Sequence, residues 1–176
     1  MTRNPPELKT RQRAYDLIAS CPGLHLREIA RRLDIDVRTA VHHLRQLEKR
    51  GLATGIEDGG FRRFFPRTAD ERRAEVVDAR DKPFLGFLRT RVPLYVSLVL
   101  LTRGAAAHAQ LAEDAGVSPS TLSYHLGRMG RAGLVVRQDG KYAMREPERI
   151  ARLLDAHRPT QDLLDRFVDL WADFKL

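Results

Sequence analysis

The sequence predicts a mainly α-helical fold with small β-hairpins, built as two tandem copies of one module. Three observations carry this. Residues 26–52 (LREIARRLDIDVRTAVHHLRQLEKRGL) recur as residues 108–134 (HAQLAEDAGVSPSTLSYHLGRMGRAGL) at a constant offset of 82, with no gap. That offset aligns Ile29 with Leu111, Ala30 with Ala112, His43-Leu44 with His125-Leu126 and Gly51-Leu52 with Gly133-Leu134. Within each copy the apolar residues keep helical spacing. Each copy then closes with a glycine and two short β-prone runs around a turn.

In the first copy, residues 7–20 place Leu8, Ala14, Leu17 and Ile18 on one side of a helix, and Pro22-Gly23 stops it. Residues 26–33 form a short helix with Leu26, Ile29, Ala30 and Leu33 inward. Residues 34–36 turn, and Asp36 caps a third helix over residues 37–50, whose expected buried stripe is Val37, Ala40, Val41, Leu44 and Leu47. Gly51 suits the left-handed position after a helix end. Strands at 52–56 and 61–65 flank Glu57-Asp58-Gly59-Gly60, and Pro66 ends the second. The second copy repeats the order: helices at 93–103, 109–115 and 119–132, then strands at 134–137 and 141–145 around Gln138-Asp139-Gly140. Ser118 caps its third helix, Pro119 opens it and Gly133 ends it.

The flanks complete four segments: 1–67, 68–90, 91–145 and 146–176. Residues 68–79 (TADERRAEVVDA) read as an exposed connector helix, and Phe84, Leu85, Phe87 and Leu88 as a patch packing on the second copy or at the joint. Residues 146–156 read as a helix with Ile150, Leu153 and Leu154 inward. Beyond Pro159, residues 160–174 set Leu163, Leu164, Phe167, Leu170, Trp171 and Phe174 opposite Asp162, Asp165, Asp169 and Asp173. Burying those six side chains is worth on the order of 10 kcal/mol before entropy, so this helix either covers the second module's core or forms a homodimer contact.

Charge divides along the same lines. The chain carries +8, from 31 Lys+Arg against 23 Asp+Glu, distributed as +6, 0, +4 and −2 over the four segments in order. Two basic blocks suggest a polyanionic partner, and the acidic end suggests protein or solvent. Arginine dominates the cations, 26 to 5 over lysine, a bias that GC-rich coding also produces. The single cysteine, Cys21, excludes an internal disulfide and a multi-cysteine zinc site. The longest apolar run, residues 92–101, is about half a membrane span, and the opening residues are polar, so a cytoplasmic protein without a membrane partner is expected. No phosphate loop, HExxH motif or partnered nucleophile is present in the sequence, which argues against an enzyme and calls for no cofactor.

Helix, short helix, turn, long helix and hairpin is the winged helix-turn-helix plan. Both repeated segments resemble the helix-turn-helix of ArsR/MarR-type winged-helix transcriptional regulators, and two units in one short chain resemble predicted archaeal regulators. The resemblance covers residues 7–67 and 91–145. It implies double-stranded DNA as partner, read by the third helix and the wing, and dimerisation through flanking helices. If the first third helix enters the major groove, Arg38 faces guanine, Thr39 a phosphate or thymine methyl, Gln46 adenine, and Arg45 and Lys49 the phosphates, with His42 on the same exposed side. The second unit presents Ser120, Thr121, Tyr124, Gly127 and Arg128, which read DNA through hydroxyls or not at all. Arg62, Arg63, Arg137 and Lys141 on the wings serve either the phosphate rail or edge-strand protection. For the Ser and Thr residues the competing role is capping. A tandem winged-helix interaction scaffold is the alternative function. Metal-sensing ArsR relatives use Cys pairs or Asp/His sets; here Cys21 is alone, Asp155 and His157 lack a second downstream histidine, and adjacent His42 and His43 point about 100° apart on a helix.

Overall fold

A computed structural model describes residues 6–67, 77–165, 167, 168 and 172. The chain divides into two compact units, Met1–Gly86 and Phe87–Leu176.

The first unit begins with α1 (Pro6–Ser20), β1 (Leu24–His25), α2 (Leu26–Leu33) and α3 (Val37–Lys49). Two strands follow, β2 (Ala53–Asp58) and β3 (Phe61–Pro66), and α4 (Lys82–Leu88) crosses the unit boundary. The turn between α2 and α3 depends on Asp34, whose left-handed backbone (φ 54°) turns the chain so that the Ile35 N–H reaches the Ala30 carbonyl at 3.1 Å. Asp36 then caps α3 by accepting from the backbone N–H of Arg38 and Thr39 at 2.8 and 3.0 Å. The hairpin closes on Gly59-Gly60, both at positive φ, as a two-residue turn between paired Asp58 and Phe61 requires. The sheet order is β1-β3-β2, all antiparallel. Ala14, Ile18, Ile29, Leu33, Leu44, Leu47 and Phe64 form the core between α1–α3 and the sheet.

The second unit repeats this with α5 (Arg91–Arg103), β4 (Ala105–Ala107), α6 (His108–Asp114), α7 (Pro119–Arg131), β5 (Val135–Gln138) and β6 (Lys141–Met144), then α8 (Pro147–Ala156) and α9 (Gln161–Leu164). The bounds of α3 and α7 differ by the 82 residues of the repeat at both ends. Gly116 (φ 61°) stands at the left-handed position that Asp34 holds in the first unit. Sheet order is β4-β6-β5, and Asp139-Gly140 make the turn between paired Gln138 and Lys141. This hairpin is two residues shorter per strand than the first. Helix α5 is buried from Val92 to Leu100, and Ser97 discharges its hydroxyl onto the Pro93 carbonyl at 2.8 Å.

Four sequence expectations need correction or restriction. The buried stripe of α3 is Ala40, His43, Leu44 and Leu47; Val37 is 44% exposed and Val41 half-buried, so the buried face is rotated toward His43 relative to the expected stripe. Most of the expected connector helix at 68–79 lies outside the described residues, and 77–81 are bends and turns. Phe84 and Leu85 fall in the first unit, where the Leu85 backbone lies against Gly23, while Phe87 and Leu88 fall in the second. The expected helix at 160–174 also lies largely outside the described residues; within them, the Phe167 ring is 5.5 Å from that of Tyr95.

Candidate nucleic-acid interface

Helix α3 presents one continuous outward face. Val37, Arg38, Val41, His42, Arg45, Gln46 and Lys49 line a shallow open groove along it. Their spacing is i, i+4, i+8 with neighbours, so they share a side while Leu44 and Leu47 anchor the other. Arg38, Arg45 and Lys49 are exposed and make no ion pair among the described residues. The Thr39 hydroxyl instead donates to the Asp36 carboxylate, a bond that holds this carboxyl below the usual range, aided by the Thr39 N–H. Thr39 is thus committed to the cap, the competing role the sequence left open.

Beneath this face His43 is buried, and its Nδ1 has no hydrogen-bond partner. Burial first, then the neighbouring His42, hold its pKa below the ordinary histidine value, so the ring packs as a neutral group. The equivalent His125 repeats both features: an unpartnered buried Nδ1 and a pKa lowered by burial and then by Arg128. Edge-on ring packing against the preceding residue also recurs, His42 on His43 at 5.4 Å and Tyr124 on His125 at 5.3 Å. Among the described residues no three His, Cys, Asp or Glu side chains gather as a metal site.

The first wing does not offer two free arginines. Successive strand residues point to opposite faces, so Arg62 and Arg63 diverge. Arg62 turns toward α3, pairs with Glu48 at 2.8 Å and lies over the Phe64 ring. Arg63 is buried, pairs with Asp58 at 2.7 Å and donates to the Gly23 carbonyl at 3.0 Å. Its position ties β3 to the turn after α1 and takes it off the solvent surface where the sequence had placed it. The alternation rule alone would have separated the two.

The corresponding face of α7 is uncharged over its first turns and basic at its end, where Arg128 and the exposed Arg131 stand at the positions of Gln46 and Lys49. Ser118 caps the helix through the Thr121 N–H at 3.2 Å, and its hydroxyl meets those of Ser120 and Thr121 at 3.0 and 2.8 Å. Tyr124 is 55% exposed. Arg128 lies over the rings of Phe87 at 5.3 Å and Tyr124 at 5.8 Å, where Gln46 occupies the matching site of α3. Gly127 replaces Arg45. On the second wing Arg137 lies over Tyr142 at 5.9 Å and Lys141 is exposed.

Comparison with known proteins finds helix-turn-helix families over both units. Residues 8–77 match the HVO_0163 family described as an N-terminal HTH domain, and residues 98–136 match the arsR family of bacterial regulatory proteins. A protein of Methanocaldococcus jannaschii described as an uncharacterized HTH-type transcriptional regulator is 32% identical over 126 residues, 72% of this chain. The chain spans 30% of the length of that relative. Among solved structures, the mRNA-binding domain of elongation factor SelB from E. coli, in complex with SECIS RNA, aligns with a TM-score of 0.31 and 19% identity over 79% of this chain and 96% of that one. The Nse1-Nse3-Nse4 complex aligns with a TM-score of 0.26 and 11% identity over 84% of this chain and 71% of that one. Among the described residues no single helix is long and apolar enough to cross a membrane.

Proposed function

This chain belongs to the tandem winged helix-turn-helix proteins, its second unit of ArsR type, and from that premise we propose that it is a transcriptional regulator that binds duplex DNA through α3. The observation that carries the reading is the α3 face, where Arg38, Arg45 and Lys49 stand exposed beside His42 and Gln46 and make no ion pair among the described residues. In the major groove Arg38 donates a fork of hydrogen bonds to guanine and Gln46 pairs with adenine. Val37 and Val41, unexpectedly outward, supply apolar contact for thymine methyl groups. Arg45 and Lys49 take phosphates. Arg62 supports the helix through Glu48, and Arg63 has no DNA role in this reading. Dimerisation through the C-terminal helices belongs to the same proposal.

A second reading applies to α7 alone. The Ser120 and Thr121 hydroxyls meet Ser118 at the cap, the central position is Gly127, and Arg128 lies over two rings, which favours a protein-facing or merely structural role for the second unit. Fluorescence anisotropy with duplex DNA at two salt concentrations tests the first reading. Micromolar or tighter binding that weakens steeply with salt is expected; absent or salt-insensitive binding refutes it.

A further inference from the structure

A cavity of about 250 Å³ lies within the first unit, behind its hairpin. Ile56 and Asp58 from β2, with Arg63 and Phe65 from β3, form one wall; Ala79, Lys82 and Pro83 form the other. The register explains the first wall. Ile56 stands directly opposite Arg63, so these residues and their neighbours two along share the face turned away from α3. The other face of β3 carries Arg62 and Phe64, which reach α3 and the core.

Two properties define what fits. The polar part of the wall is already framed: Arg63 is fixed by Asp58 at 2.7 Å and by the Gly23 carbonyl at 3.0 Å. The charged lining residues Glu57, Asp58, Arg63 and Lys82 sum to zero, so a charged guest would lose hydration without gaining a counter-charge. Ile56, Phe65, Ala79 and Pro83 offer apolar surface instead. An engineered apolar cavity of about 150 Å³ admits benzene, so this one has room for a bicyclic body. We propose that the cavity is a binding site for a small neutral apolar molecule the size of one or two fused rings.

Indole is the probe, titrated into the full chain and followed by NMR shifts. Saturable shifts centred on Ile56, Phe65 and Ala79 are expected. Ala79 is exposed, so Ala79→Leu fills the cavity while the fold persists, and indole affinity falls by roughly tenfold or more. If that variant lowers the thermal midpoint, Ile56→Trp fills the same space from the opposite wall. Benzoate binds roughly tenfold more weakly than indole because it carries a charge. Absence of saturable shifts with indole overturns the proposal, as does indole binding that both filling variants leave unchanged, or benzoate binding as tight as indole. The assay contains no DNA, so its failure is distinct from failure of the DNA-binding reading.

Discussion

Replacing Arg38 and Arg45 together with alanine tests the α3 face most directly. Both side chains are exposed, and neither has an ion pair to lose among the described residues, so the folded state gives up almost nothing. The unfolding free energy should stay within about 0.5 kcal/mol of wild type. DNA binding should change in a specific way. Each cation that neutralises a phosphate contributes about 0.9 to the slope of log affinity against log salt, so the slope should become shallower by about 1.8 if both touch phosphate, which between about 50 and 200 mM salt amounts to about a 12-fold smaller loss of affinity. If Arg38 contacts guanine alone, the slope should change by only about 0.9, with an added loss of about 1–3 kcal/mol at that base pair. Anisotropy titrations at four salt concentrations measure the slope, and urea unfolding measures stability. Unaltered slope and affinity would remove α3 from the mechanism. A large drop in stability would show instead that the two arginines hold the fold.

Three further outcomes are expected. Asp58→Ala leaves the buried Arg63 guanidinium without its carboxylate and should cost about 3 kcal/mol by urea unfolding, a loss under about 0.5 kcal/mol being incompatible with the pairing described. Ser118→Ala removes the cap of α7 and should cost about 1 kcal/mol; an unchanged denaturation midpoint would mean the hydroxyl caps nothing in solution. His43 and His125 have pKa values lowered on folding, chiefly by burial, so the unfolded chain binds more protons and stability is present above the unfolded value near 6.5 and lost as pH falls below it. Urea midpoints at pH 7.5 and 5.5 should therefore fall with acidity, and His43→Gln should flatten the trend; a midpoint that rises on acidification contradicts the burial of these rings.

Local signals made much of this fold readable. Asp36 and Ser118 cap the helices the sequence assigned them, and Gly51 and Gly133 adopt the left-handed backbone their positions implied. Strands β1 and β4 were invisible because Leu24–His25 and Ala105–Ala107 carry no alternation of their own; pairing with β3 and β6 alone defines them. The rotation of α3 escaped a reading by hydropathy because His43, a polar residue, enters the core as a neutral ring while Val37 and Val41 turn out. Site residues were legible as cations on a helix, but not which cations are consumed internally. Glu48 neutralises Arg62 from 14 residues away and Gly23 accepts from Arg63 across 40, separations no local pattern encodes.

The unequal duplication has a consequence for what such a chain could register. Two identical subunits related by a twofold axis answer only to a target that reads alike from both ends. Here the two halves differ where it matters, arginine against serine at Arg38 and Ser120, and a longer against a shorter hairpin. Within one polypeptide the two halves carry no such twofold obligation, so each chain has the means to distinguish left from right along whatever it grips, and a pair of chains would impose symmetry only between one whole chain and the other.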